Sequence, residues 1–324
     1  TPDGKDAWLD LPGLAVLVGG MWVANLYYWG FNQYIIQRTL AAKSLKESQR
    51  GIAFAAFLKL IIPLIVVVPG IVAYVMNADA EGNLIKEGLD PGFLNSSGGI
   101  VNDNAAPWLI GKYVPTGLLG LVVAALAAAI VSSLASMLNS TSTIFTMDIY
   151  QPYINKNASQ RQLVTVGRIT VVVALIIGAL IAPALGNLGQ VFLYIQEYTG
   201  IVSPGILAVF LMGLFWKKAT NRGAIVGVVS SIPVAMFFKV GPNGWMDGTA
   251  LEALFPSLPF MHQMLITCLV TIGIIALVSF LETKGADDPK AIQNDKSTFA
   301  TDPVFNISAV AVMLIVVALY AIFW

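Results

Sequence analysis

The chain has 324 residues, of which 57% are hydrophobic and 11% charged, with a formal net charge of +0. This balance excludes a soluble globular domain and predicts an all-α polytopic protein whose solvent is the lipid bilayer; with no basic block, no nucleic-acid partner is expected. One cysteine, Cys268, and one histidine, His262, exclude internal disulfides and a zinc centre of the Cys/His type, and with it metalloprotease chemistry.

Eight apolar runs are long enough to span a membrane: 11–36, 51–77, 114–139, 163–185, 189–215, 223–240, 259–281 and 306–324. Lysine and arginine collect in cytoplasmic loops. Twelve of them follow the first, third, fifth and seventh runs, from Arg38 to Lys296, against three on the opposite side, Lys5, Lys86 and Lys112. The four richer loops are therefore predicted inside and both ends of the chain outside. The chain opens on Thr1-Pro2-Asp3, with neither an initiator methionine nor a signal sequence, and reads as the later part of something longer.

The first run, LPGLAVLVGGMWVANLYYWGFNQYIIQRTL in its wider context, is wrong for lipid at its middle. Asn25, Tyr27, Tyr28, Trp29, Asn32 and Gln33 crowd the centre, between Gly19, Gly20 and Gly30. Amides and loosened backbone at that depth must face protein or a watered cavity. If the run is helical, Asn25, Tyr28, Trp29 and Asn32 share one face at i, i+3, i+4 and i+7. Amides bond hydroxyls and a flat ring covers the CH face of a sugar, so one wall of a solute path is the expected role. The alternative is an interfacial aromatic belt with helix-helix amide contacts.

The second run carries Lys59 about 12 Å from its cytoplasmic end at a helical rise. It is either a functional intramembrane charge or a snorkelling anchor. Pro63, Pro69 and Gly70 should bend the remainder. The 78–113 connection is too long for a turn and is expected outside, with a short helix and a formal sequon at Asn95. In the third run Ser132 and Ser133 follow the Ala129 carbonyl by one turn. Hydroxyls and carbonyls suit a sodium ion; back-bonding or helix-helix contact is the plainer role. Arg168 in the fourth run reads as a snorkelling anchor. In the fifth, Phe192 and Gln196 stack at i and i+4, a ring above an amide, as a lid over a polar site or as ordinary packing. Glu197 faces away from Gln196 by about 100°, and Ser203-Pro204-Gly205 should kink the helix. The last three runs, with Lys239 and Gln263 as exceptions, read as supporting helices.

The segments YYWGFNQYIIQRTLAAK, SSLASMLNSTSTIFTMDIY and YIQEYTGIVSPGILAVFLMGLFWKKATNRGAIVG resemble the sodium/solute symporters, and within them the sodium/glucose (galactose) cotransporters, most of all the bacterial sodium/galactose members. The last segment includes a family signature at Gly213-Leu214, Lys218 and Gly223-Ala224; its tail, Ser230-Ser231, departs from the small or aliphatic pattern. The resemblance implies a LeuT-like transporter fold of two inverted five-helix repeats with broken first helices. Residues 1–215 would be the second inverted repeat, its first span broken, and 216–324 three carboxy-terminal helices. The amino-terminal repeat would be absent from this chain. By similarity, Asn25, Lys59 and Gln196 would bond sugar hydroxyls, Tyr28 would stack on the ring with Trp29 beside it, and Phe192 would belong to an outer gate. Ala129 by its carbonyl, with Ser132 and Ser133 by their hydroxyls, would hold sodium.

The expected activity is symport rather than enzymatic catalysis. Inward sodium flow would drive uptake of a hexose, galactose or glucose, across the plasma membrane by alternating access. The alternatives are a membrane sugar sensor without transport, and the same symporter carrying an amino acid, inositol or sialic acid. The oligomeric state stays open between monomer and homodimer.

Overall fold

The computed structural model describes residues 16, 19–79, 90–93, 101–185, 191–242, 246, 248–249, 258–295 and 297–323. Its helices are α1 (Gly20–Leu26), α2 (Gln33–Leu40), α3 (Leu45–Lys59), α4 (Ile62–Met76), α5 (Ala105–Tyr113), α6 (Thr116–Thr143), α7 (Gln160–Leu185), α8 (Val191–Phe215), α9 (Asn221–Val240), α10 (Phe260–Thr283) and α11 (Pro303–Phe323). Among the described residues, seven stretches are long and apolar enough to cross a membrane, with α3–α4 counted as one and α6 continuing to Ile154. The first of the eight expected runs, 11–36, is not an unbroken helix, and most of its start lies outside the described residues.

That run breaks for visible reasons. After α1 the chain widens into a π-helical turn over Tyr27–Phe31, and Asn32 then leaves helical geometry at φ −82°, ψ 116°. The Asn32 carboxamide oxygen accepts from the Tyr34 amide at 3.2 Å. Asn32 thus caps the new helix, a role asparagine fills well because its oxygen reaches an orphan N–H two residues on. The single α-helical face expected from Asn25 to Asn32 is therefore corrected: it holds only as far as Leu26.

The second span departs from expectation in where it yields. Its interruption falls at Leu60–Ile61, between α3 and α4, whereas α4 runs on through Pro69 and Gly70. Pro63 lacks an N–H for the Lys59 carbonyl and its ring clashes there, so the helix opens one turn before the proline. α8 continues through Pro204 as one helix. The external connection contains the expected short helix, α5; Asn95 lies outside the described residues.

The chain forms two compact units, residues 1–36 with 192–300 and residues 37–191 with 301–324. In the first, Gly223, Gly227, Ser231 and Ala235 make a buried small-residue stripe on α9. Against it α10 sets Thr267, Thr271, Ile275 and Ser279, all fully buried. Cβ atoms on Gly223 or Gly227 would collide with Ser279 or Ile275. Small residues permit close backbone approach, the main source of helix-helix attraction in lipid. α1 meets α10 the same way, since a Cβ on Gly20 would overlap the Met261 carbonyl. Cys268 is buried in the apolar cluster of this unit with Val23, Leu207 and Met264.

In the second unit α6 packs on α7, with the Ser142 hydroxyl donating to the Gly167 carbonyl at 2.9 Å. α3 is tied to the start of α11: Arg50 pairs with Asp302 at 2.9 Å and Lys46 at 3.6 Å. The hydrogen bond from Arg50 holds the Asp302 carboxyl below its ordinary value. In the first unit Lys217 donates to the Gln293 side chain at 2.9 Å. Each of these ties joins ends that the lysine and arginine bias places on the same, inner side.

Candidate functional site

Three of the residues singled out for solute lie within five positions in the first unit. Asn25, on the last turn of α1, is exposed, and its Nδ2 donates to the Met21 carbonyl at 2.9 Å. That bond leaves the carboxamide oxygen to accept from a donor such as a hydroxyl. Tyr28 and Trp29 stand in the π turn with rings edge-to-face, centroids 5.1 Å apart. Tyr28 is half-buried, and its hydroxyl lies 2.9 Å from that of Tyr34, across the break at Asn32. π turns are rare and gather at functional sites because one extra residue re-aims the side chains that follow. Here the re-aimed residues are the two aromatics.

Gln196 is half-buried on α8 in the same unit. Phe192 belongs to the same helix, and its side chain lies outside the described residues. Glu197, next in sequence, is engaged in an ion pair, with its Oε1 3.3 Å from Lys239 Nζ on α9. The ammonium also sits 3.7 Å from the centroid of Tyr198. Both charges come from helix ends predicted on the outer side. They line a small cavity with Gln263 and Thr267, and the fully buried Thr267 hydroxyl has no hydrogen-bond partner among the described residues. A polar hole of this kind suits one bridging water.

Lys59 and the three proposed cation ligands belong to the second unit. Lys59 is the last residue of α3, exposed, at the interruption before α4. Ala129, Ser132 and Ser133 lie mid-way along α6, all exposed. Their spacing of three and four puts one carbonyl and two hydroxyls on a single helix face. Oxygen donors without a carboxylate match a hard monovalent cation, which needs several such ligands.

Sequence reading missed a hydrogen-bonded bridge one turn further along α6. Gln37 Nε2 donates to the Ser136 carbonyl at 3.1 Å, while Asn139 Nδ2 donates to Gln37 Oε1 at 3.0 Å. Arg38 donates through its guanidinium to the Ser136 hydroxyl, which in turn donates to the Ser132 carbonyl at 3.1 Å. Arg38 is legible in the sequence only as one of the inner-loop cations. The remaining signal was the polar run Ser136, Asn139, Ser140 at the inner end of an otherwise apolar helix.

The sodium:solute symporter family model matches residues 4–230. The chain is 57% identical over 317 residues to a sodium/glucose cotransporter of Vibrio parahaemolyticus, covering 98% of this chain and 55% of that protein. It is 35% identical to a human sodium/myo-inositol cotransporter 2, over 84% of this chain and 41% of the relative. A bovine sodium/mannose cotransporter is also 35% identical, over 78% of this chain and 40% of the relative. The fold matches a substrate-bound, outward-open structure of a Na+-coupled sialic acid symporter with a TM-score of 0.64 at 25% identity, covering 91% of this chain and 54% of that one. The fold is thus LeuT-like. The chain spans about half the length of the relatives it matches.

Proposed function

Since this chain belongs to the sodium:solute symporter family, we propose that it forms part of a secondary active transporter in which sodium entering the cell carries a hexose with it. The observation that carries the reading is the likeness to a sodium/glucose cotransporter over 98% of the chain. The π turn presenting Tyr28 and Trp29 beside a broken helix supports it. Broken helices serve such sites because an interrupted span frees backbone groups and can pivot at the break.

Asn25, Lys59 and Gln196 are assigned to the sugar hydroxyls, Tyr28 with Trp29 to the ring, and Phe192 to the outer gate. The Ala129 carbonyl and the hydroxyls of Ser132 and Ser133 are assigned to sodium. Residues 1–215 are taken as one five-helix repeat and 216–324 as three further spans, in the plasma membrane. One charge crossing ~100 mV releases ~2.3 kcal/mol, and a tenfold sodium gradient adds ~1.4 kcal/mol. Together they sustain a sugar gradient of several hundredfold at one sodium per sugar, roughly.

The test is uptake of labelled galactose into proteoliposomes holding the intact polypeptide, with a sodium gradient and without one. Uptake indifferent to sodium would remove the reading. A different cargo is the second reading, favoured by relatives named for myo-inositol and mannose and a neighbour named for sialic acid. Counter-flow competition by each of these against galactose separates the cargoes.

A further inference from the structure

From the bonds that join α2 to α6, we infer that Gln37, with Ser136 and Asn139, is a coupling bridge that links occupancy of the cation face on α6 to the position of Tyr28. The inference rests on the cation and solute assignments proposed above. A cation can shift a second site only through contacts that differ between two arrangements of the protein. The chain of contacts here has no long gap. The Tyr28 hydroxyl meets the Tyr34 hydroxyl at 2.9 Å over the break at Asn32. Tyr34 lies on α2, three residues before Gln37 and so on a neighbouring part of the same surface.

Gln37 then engages α6 in both directions, donating to the Ser136 carbonyl and accepting from the Asn139 side chain. A side-chain amide that donates and accepts on residues three apart sets both the height and the rotation of one helix against the other. A single contact would set only distance. The Ser136 hydroxyl, gripped by Arg38, passes its own proton bond to the Ser132 carbonyl. Ser132 is therefore bonded through its backbone to the bridge while its hydroxyl stands on the cation face. Fixing Ser132 and Ser133 around an ion fixes the turn that holds Ser136, and through Gln37 the short helix on which Tyr34 sits. The π turn and the extended Asn32 supply the point at which α2 can move against α1.

Gln37 is a positioning residue on this account, touching neither solute nor ion. The experiment measures galactose binding to the intact polypeptide in detergent with saturating sodium and with sodium replaced by choline. The ratio of the two dissociation constants is the coupling factor, which linkage makes the same for either ligand acting on the other. The parent is expected to show a clear factor; if sodium leaves its galactose affinity unchanged, the proposed function has failed rather than the bridge alone. In Gln37→Leu the factor should fall by about fivefold or more. Gln37→Glu, which keeps the acceptor for Asn139 but loses the donor, should fall less. Adding Asn139→Leu to Gln37→Leu should cost little further, because the pair acts as one unit.

A merely structural tie would lower the yield or both affinities and leave their ratio alone. Parent-like coupling factors in the variants that still bind galactose would overturn the inference. Loss of galactose binding under both conditions in all of them would overturn it as well, marking the bridge as a structural tie.

Discussion

Two Ser-Ser pairs lie mid-way along apolar helices of this chain, and they differ in how far neighbouring helices cover them. Ser231 on α9 is fully buried, its hydroxyl donating back to the Val228 carbonyl at 2.8 Å beside the α8 glycine, Gly205. Its neighbour Ser230 returns its proton to the Val226 carbonyl at 2.7 Å. Ser132 and Ser133 on α6 are exposed. The same contrast runs through the two units. The most apolar windows of α8 and α10 are each 33% buried within the chain, while those of α6 and α7 are 0% buried. A hydroxyl in an apolar helix is packing material where a neighbour closes over it; on a helix left uncovered, its partner comes from outside these contacts. Residue type does not distinguish the two cases.

The largest expected effect breaks that contrast directly. Ser132→Ala with Ser133→Ala should raise the sodium concentration for half-maximal uptake roughly a hundredfold, about 2.7 kcal/mol for the two ligands. Ser230→Ala with Ser231→Ala should leave sodium dependence in place. Sodium titrations of galactose uptake by the two double variants check the pair; matching curves would erase the distinction.

Next in size is the small-residue stripe. Gly227→Leu places bulk where Ile275 and Thr271 already lie, and overpacking of this kind costs about 2 kcal/mol. Thermal unfolding in detergent should show a clear fall in Tm. Gly117→Leu on α6, where a Cβ meets nothing within 4 Å, should show almost none.

Smaller again is the pair in the first unit. Lys239→Met removes the ammonium from beside Glu197, whose side chain is 40% exposed, so solvent screening holds the expected loss to about 1 kcal/mol. Adding Glu197→Gln should recover part of it, because no lone carboxylate remains. The double-mutant cycle in Tm measures the coupling.

The smallest effect concerns the inner surface of the second unit. Asp302 has its folded pKa lowered, first by its hydrogen bond with Arg50. Its contribution is therefore present above the unfolded value of 3.8 and is lost as pH falls through the lower folded value. The difference in acid stability between parent and Asp302→Asn should vanish at the bottom of that window. A gap that persists there would assign the loss to the carboxylate's shape rather than its charge.

Much of this was legible along the chain. The resemblance implied a broken first span, and the break falls at Asn32; the amides, aromatics and glycines by themselves pointed only to a polar, loosened centre. The lysine and arginine bias grouped the loops that the structure ties together, such as Arg50 to Asp302. Less legible was where proline acts. Pro63 opens the helix at Leu60–Ile61, behind itself, whereas α8 carries Pro204 without interruption. A proline removes one bond from the preceding turn, and neighbouring packing decides whether that turn gives way.

By itself, the sequence determined the class, seven of the expected spans and the family, because these follow from local quantities: hydropathy over about 20 residues and short motifs. Tertiary structure alone decided which serines are buried, why Gly223 and Gly227 must be small, and that Gln37 reaches Ser136 and Asn139. Those facts concern residues up to about a hundred positions apart, 102 in the case of Gln37 and Asn139. Only the packing of one helix against another brings such atoms within the ~3 Å at which a hydrogen bond forms.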